Sequence, residues 1–147
     1  MAKSTAKKRA RATAPPRYRY QYAVKFLCTG NIPGTSQTTT AVLPGVYQTA
    51  VNIHNPNPQV ARLREKLAVR TGQISPFVKG QLKPDEATSV DCSQVQNFGI
   101  PFIHGFEGFL VIESTLSLDV VAVYTAGARG GEVASIDVEH VPERRLG

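Results

Sequence analysis

At 147 residues, 41% hydrophobic and 19% charged, the chain has the length of one domain and enough apolar residues for one modest core, which excludes a two-domain enzyme and a wholly disordered protein. The formal charge of +6 is uneven: no acidic residue precedes Glu65, whereas Lys3, Lys7, Lys8, Arg9, Arg11, Arg17 and Arg19 crowd the N-terminus. From Tyr20 to Gly147, ten basic residues meet eleven acidic ones, so the high isoelectric point is expected to belong to an arm on a neutral domain and not to a basic folded surface.

Residues 1–16 are rich in Ala, Lys, Arg, Ser and Thr, end in Pro15-Pro16 and show no apolar period. Burial cannot offset the entropy of ordering them, so a disordered arm is expected, followed by a single domain over residues 17–147. The arm's cations Lys3, Lys7, Lys8, Arg9 and Arg11, with Arg17 and Arg19 directly after it, are the candidate polyanion site. They would hold nucleic acid by counterion release, with strong salt dependence and no sequence preference, unless the arm is only a solubilising tail.

RYRYQYAVKFLC alternates strictly, Tyr18, Tyr20, Tyr22, Val24, Phe26 and Cys28 against Arg17, Arg19, Gln21, Ala23, Lys25 and Leu27, and predicts the first strand. TGNIPGTSQTTTAVLPG is a connection. VYQTAVNIH predicts a second strand, stopped by Asn55-Pro56-Asn57-Pro58. VARLREKLAVR, residues 60–70, fits a strand by alternation and a helix by composition; the strand is preferred because both flanks carry turn chemistry. Lys83-Pro84-Asp85-Glu86 turns into the short strand ATSVDC, and SQVQNFGIPF reads as irregular. GFEGFLVIES, LDVVAVYTA and EVASIDVEHV are strands, the middle one apolar on both sides as a strand buried on both faces would be. The expected fold is all-β, a single antiparallel two-sheet β-sandwich of about seven or eight strands, Ig-like or jelly-roll-like.

Cys28 and Cys92 close two of these strands. They form either one bridge around a loop of roughly 60 residues, stabilising by about 4 kcal/mol, or two buried thiols in a reducing cytosol. With no C-x-x-C they make no four-ligand zinc site, and the basic N-terminus has no apolar stretch of a secretory signal behind it, which favours thiols and a cytoplasmic location. No apolar run approaches the ~18 residues of a bilayer span. His54, His104 and His140 are scattered, and His54 in NIHNP is placed to satisfy turn backbone groups, so no metal site is expected. No G-x-S-x-G, H-E-x-x-H or phosphate-binding Gly loop occurs. Glu107 and Glu113 share one side of one strand, ~20 Å apart, too far for paired acid–base work. Glu139, Glu143, Arg144 and Arg145 read as a charged exit with weak surface ion pairs. Neither an enzyme, a cofactor nor a small-molecule substrate is expected.

Three segments, RYRYQYAVKFLC, GVYQTAVNIHNP and GFLVIESTLSLDVVAVYTA…SIDVEHVPERR, resemble a group of small bacterial β-sandwich proteins. The likeness spans most of the body but not the basic arm, and its last run is the most specific. It implies a β-sandwich and, because ATSVDC also has a counterpart there, a paired role for Cys28 and Cys92. It implies no established activity, substrate or catalytic residue.

The expected function is therefore a non-enzymatic structural or interaction module. It would form a homo-oligomer or bind a protein partner through strand edges and a face carrying Tyr18, Tyr20 and Tyr22. One alternative is non-specific nucleic-acid binding through the basic arm, supported by fold analogy to small capsid proteins. The other is an envelope or extracellular domain with Cys28 and Cys92 bridged.

Overall fold

In the structure, a computed structural model that describes residues 14–35, 41–101, 105–128 and 131–147, nine strands and one short 3₁₀ helix follow one another. They are β1 (Tyr20–Asn31), β2 (Gly45–His54), β3 (Ala61–Val69), β4 (Val78–Leu82), β5 (Ala87–Val90), the 3₁₀ helix η1 (Cys92–Phe98), β6 (Gly105–Ser114), β7 (Asp119–Gly127), β8 (Val133–His140) and β9 (Arg144–Arg145). The protein is almost entirely β, as the alternating patterns require. Hydrogen bonds join the strands into one open sheet in the order β4-β3-β6-β1-β2-β7-β8, with β5 on β2 and β9 on β1. Every pairing is antiparallel.

The ambiguous segment over residues 60–70 is a strand. Ala61, Leu63, Glu65 and Leu67 are buried while Arg62 is exposed, and pairing with β4 and β6 on its two sides overrides the helix-forming composition. Neither β4 nor η1 has a signal in the alternation. β4 buries only Leu82 of its five residues. The supposedly irregular segment after ATSVDC begins with η1, whose N-cap Asp91 accepts from Ser93 N (2.8 Å) while Gln94 Oε1 accepts from Asp91 N (3.0 Å), a reciprocal capping box closed by left-handed Gly99.

β1 and β2 pair only where Cys28–Asn31 meet Gly45–Gln48. Farther along, β9 takes the free edge of β1 at Tyr20 and Gln21, and β5 takes that of β2 over Val51–His54. The sheet thus forks into one half built from β4, β3, β6, β1 and β9 and another from β5, β2, β7 and β8. At the fork Thr49, 1% exposed, accepts from the Leu27 amide (2.9 Å). Side chains from both halves form one core cluster: Tyr22, Val24 and Phe26, then Leu63 and Leu67, then Phe106, Leu110 and Ile112 from the first, with Val51, Ile53, Val120 and Ala122 from the second. Val95 and Phe98 of η1 join them. Gly108 permits the close approach of β6 to β3, since a Cβ there would lie 2.1 Å from the Ala68 carbonyl oxygen.

Contrary to the expectation from its sequence, the strand over LDVVAVYTA is not buried on both faces. β7 lies beside the terminal strand β8; Val120 and Ala122 are buried, whereas Val121 and Val123 on its other face are only half-buried. Its second apolar face is left open in the monomer.

Candidate functional site

Of the predicted polyanion-binding residues, Lys3, Lys7, Lys8, Arg9 and Arg11 lie outside the described residues, and Arg17 and Arg19 are exposed. The tyrosines do not form one surface. Tyr22 is 1% exposed in the core; its hydroxyl accepts from Leu118 N (2.7 Å) and donates to Glu143 (2.8 Å), and burial pushes its pKa up to about 12. Tyr20 packs against the core, with the Arg145 guanidinium 5.7 Å from its ring. Tyr18 precedes β1 and stacks on Arg64 at 4.3 Å. The ladder divides because β1 begins only at Tyr20, so Tyr18 escapes the strand's alternation.

Arg64 belongs to a surface that the charge count concealed. On the face of β3, β4 and β1 turned away from the core lie Arg62, Arg64, Lys66, Lys79 and Lys25, with Arg70 just beyond β3. Two carboxylates of β6 share that face. Glu113 accepts from Arg64 Nε (2.7 Å) and Gln21 (3.3 Å); Glu107 meets Lys25 (3.0 Å) and Arg70 (3.1 Å). Most of the remaining acids, including Asp91, Asp119, Glu132, Asp137 and Glu139, sit on or beside β5, β7 and β8. The domain is near neutral in sum and strongly polar in arrangement, which corrects the expectation that its folded surface is not basic.

The NIHNP segment also divides its roles differently. Asn55, fully buried, donates to the carbonyls of Gln59 (2.8 Å), Leu82 (3.0 Å) and Lys83 (3.0 Å), and its Oδ1 accepts from Asn57 N (3.1 Å). Asn55, not His54, satisfies the turn. His54 lies between Asp119 (Nδ1, 3.0 Å) and Asp85 (Nε2, 3.3 Å), and the Asp119 carboxylate, seconded by Asp85, holds the imidazole above its ordinary pKa. His140 is exposed on β8, and His104 lies outside the described residues. Among the described residues no three His, Cys, Asp or Glu side chains converge as a metal-holding group.

Cys28 and Cys92 are bonded to each other, with Cα atoms 5.5 Å apart. The preference for free thiols is thereby corrected: pairing at the fork brings the end of β1 against the first residue of η1. A cleft of about 860 Å³ opens beside the bridge between Val95, Ile100, Pro101 and Phe106. Its described lining holds no titratable side chain, and its one hydroxyl, Ser93, donates to Asp91 (2.6 Å).

The charged exit from β8 is more than a weak surface network. Arg144 and Arg145 form β9 against β1, and the Leu146 amide donates to Arg19 O (2.7 Å). Glu139 accepts from the Tyr124 hydroxyl (2.9 Å), which keeps Asp137 and Glu139 on the Tyr124 side of β8. All eight residues of β8 are exposed, Val133, Ile136 and Val138 at 62–68%. Register aligns Ala50, Val123 and Val138 in one row, Gln48, Thr125 and Ile136 in a second, and Asn52, Val121 and His140 in a third. The result is an open face, apolar at the centre and rimmed by Gln48, Asn52, Thr125 and His140, with Asp91 at its border.

No helix among the described residues is long and apolar enough to cross a membrane. No protein-family model matches the chain. No curated protein matches it. A solved structure, that of Thermotoga maritima 1070, is similar with a TM-score of 0.54 and 10% identity, over 85% of this chain and 92% of the other. That likeness shows the fold alone.

Proposed function

We propose that the protein is a non-enzymatic assembly module whose β2-β7-β8 outer face packs on a second copy of itself. The observation that supports this reading is the open face itself. Ala50, Val121, Val123, Ile136 and Val138 form a continuous apolar surface on strands whose opposite sides are partly committed to the core. Apolar patches rimmed by polar side chains mark interaction sites. A second copy suits this one because its centre carries no charge, so two-fold pairing brings no like charges together. Edge-to-edge pairing of β8 is disfavoured, since it would align Asp137 and Glu139 with their copies. The cationic face of the other half would repel its own copy.

The Cys28–Cys92 bridge supports a companion reading, an envelope or extracellular location, because thiols are kept reduced in most cytosols. Sedimentation velocity tests the assembly. The unmodified chain is expected to sediment as a dimer, and Val138→Asp as a monomer with an unchanged far-UV circular dichroism spectrum. A monomeric wild type at its highest soluble concentration, or a dimer untouched by Val138→Asp, overturns the proposal.

A further inference from the structure

The cation-rich outer face of β3, β4, β6 and β1 is separate from the assembly face, and it has a floor as well as charge. Phe109 projects from β6 at 45% exposure, between Lys25 on β1 and Ala68 on β3 in register. The Lys25 ammonium stands 5.6 Å from its ring centre. Val111, the next outward residue of β6, lies between Ala23 and Lys66. A second aromatic, Phe77, takes Arg64 at 4.1 Å and Lys66 at 4.8 Å. The carboxylates that share this face are engaged by Arg64, Lys25 and Arg70, and among the described residues Arg62, Lys66 and Lys79 have no carboxylate partner.

The N-terminal segment joins the domain at this same place. Pro15, Pro16 and Tyr18 line a groove with Arg64 and Lys79, so the chain carrying Lys3, Lys7, Lys8, Arg9 and Arg11 is tethered to the edge of the cationic face.

We infer that this face binds single-stranded nucleic acid, with bases stacking on Phe109 and phosphates held by Lys66, Lys25, Arg62 and Lys79. Charge alone would suit any polyanion. An exposed ring on a flat floor of small apolar side chains, with cations one and two strands away, suits unpaired bases, which offer a π-face and a phosphate in each repeat. A duplex hides its base faces, and an acidic peptide has no ring in every repeat to place on Phe109. This site differs from the expected one, which lay among the N-terminal cations from Lys3 to Arg19, and it does not depend on self-association.

The test is fluorescence anisotropy of the full-length, disulfide-bonded chain with fluorescein-labelled oligothymidylate. A duplex of equal length and heparin serve as base-hidden and base-free polyanions. Phe109→Ala, at an exposed position, is expected to weaken oligothymidylate binding by about tenfold, with Phe109→Tyr restoring it. Heparin binding should be unchanged by Phe109→Ala. Lys66→Gln should weaken both ligands and lower the salt slope for oligothymidylate by about one. Absence of oligothymidylate binding overturns the inference. So does a duplex bound as tightly, a parallel loss of heparin and oligothymidylate in Phe109→Ala, or binding that deletion of residues 1–13 abolishes and Phe109→Ala leaves intact.

Discussion

Glu65 offers a sharp test of how the core is built. The alternation of β3 points its side chain inward between Leu63 and Leu67, with Ile112 of β6 and Val78 of β4 opposite it. The residue is 8% exposed, no ion pair reaches it among the described residues, and burial raises its carboxyl from 4.5 to about 7. The folded state therefore holds a proton that the unfolded chain releases between those two values. Below the unfolded pKa the group is neutral in both states and costs nothing electrostatically. As pH rises through about 7, folding must either keep the proton or bury a charge, and on the order of 3 kcal/mol of stability is lost. Urea unfolding followed by circular dichroism at about pH 5 and about pH 8 should show Glu65→Leu gaining on wild type by about that amount at the higher pH and by much less at the lower. Glu65→Gln, which keeps the shape without the charge, should flatten the difference in the same sense. A wild-type-to-variant gap identical at both pH values would refute the assignment of burial as the cause.

Two further outcomes test the fork and the turn. Protein purified without reductant should show no titratable thiol under denaturing conditions, and replacing both Cys28 and Cys92 with alanine should cost about 4 kcal/mol in denaturant unfolding, the chain-entropy value for a loop of this size. Asn55→Ala removes a buried amide that serves the Gln59, Leu82 and Lys83 carbonyls. It should destabilise by about 2–4 kcal/mol in the same assay, whereas His54→Ala at the half-buried neighbour should cost far less.

Much of the fold was legible because strand alternation reports which side of a sheet is dry. Tyr22, Val24 and Phe26 on β1 and Val51 and Ile53 on β2 are inward where period two places them. Glu65 broke the apolar series in β3 and made helix plausible; it is in fact a carboxylate carried inward by the strand that Leu63 and Leu67 define. β4 was not legible, since a short edge strand with one buried residue has almost no apolar signal. Neither was β9, which exists because the tail returns to the free edge of β1. The two candidate surfaces were hidden for a related reason. Arg62, Lys66, Lys25 and Phe109 come from three strands that are distant in sequence, and only register places them side by side.

Register also explains why a body of near-zero net charge need not behave as a neutral one. β8 carries Ile136 and Val138 on one face and Asp137 and Glu139 on the other, while β3 devotes every outward position from Arg62 to Lys66 to a cation. Averaging over composition cancels these contributions, whereas the sheet keeps them apart. Self-association and polyanion binding therefore make compatible demands on the molecule. A pair joined through Val123 and Val138 would leave both cationic faces uncovered, because those residues lie on the half beyond the β1–β2 fork. Each pair would then present two stacking floors and two tethered basic segments, and binding of one long single strand by both would tighten through effective concentration with no new contact. Val138→Asp should accordingly leave short oligothymidylate binding unchanged while weakening a strand long enough to reach both faces. Equal affinity of the variant for long and short strands, alongside a preference for long strands in the wild type, is the pattern that joins the two surfaces in one mechanism.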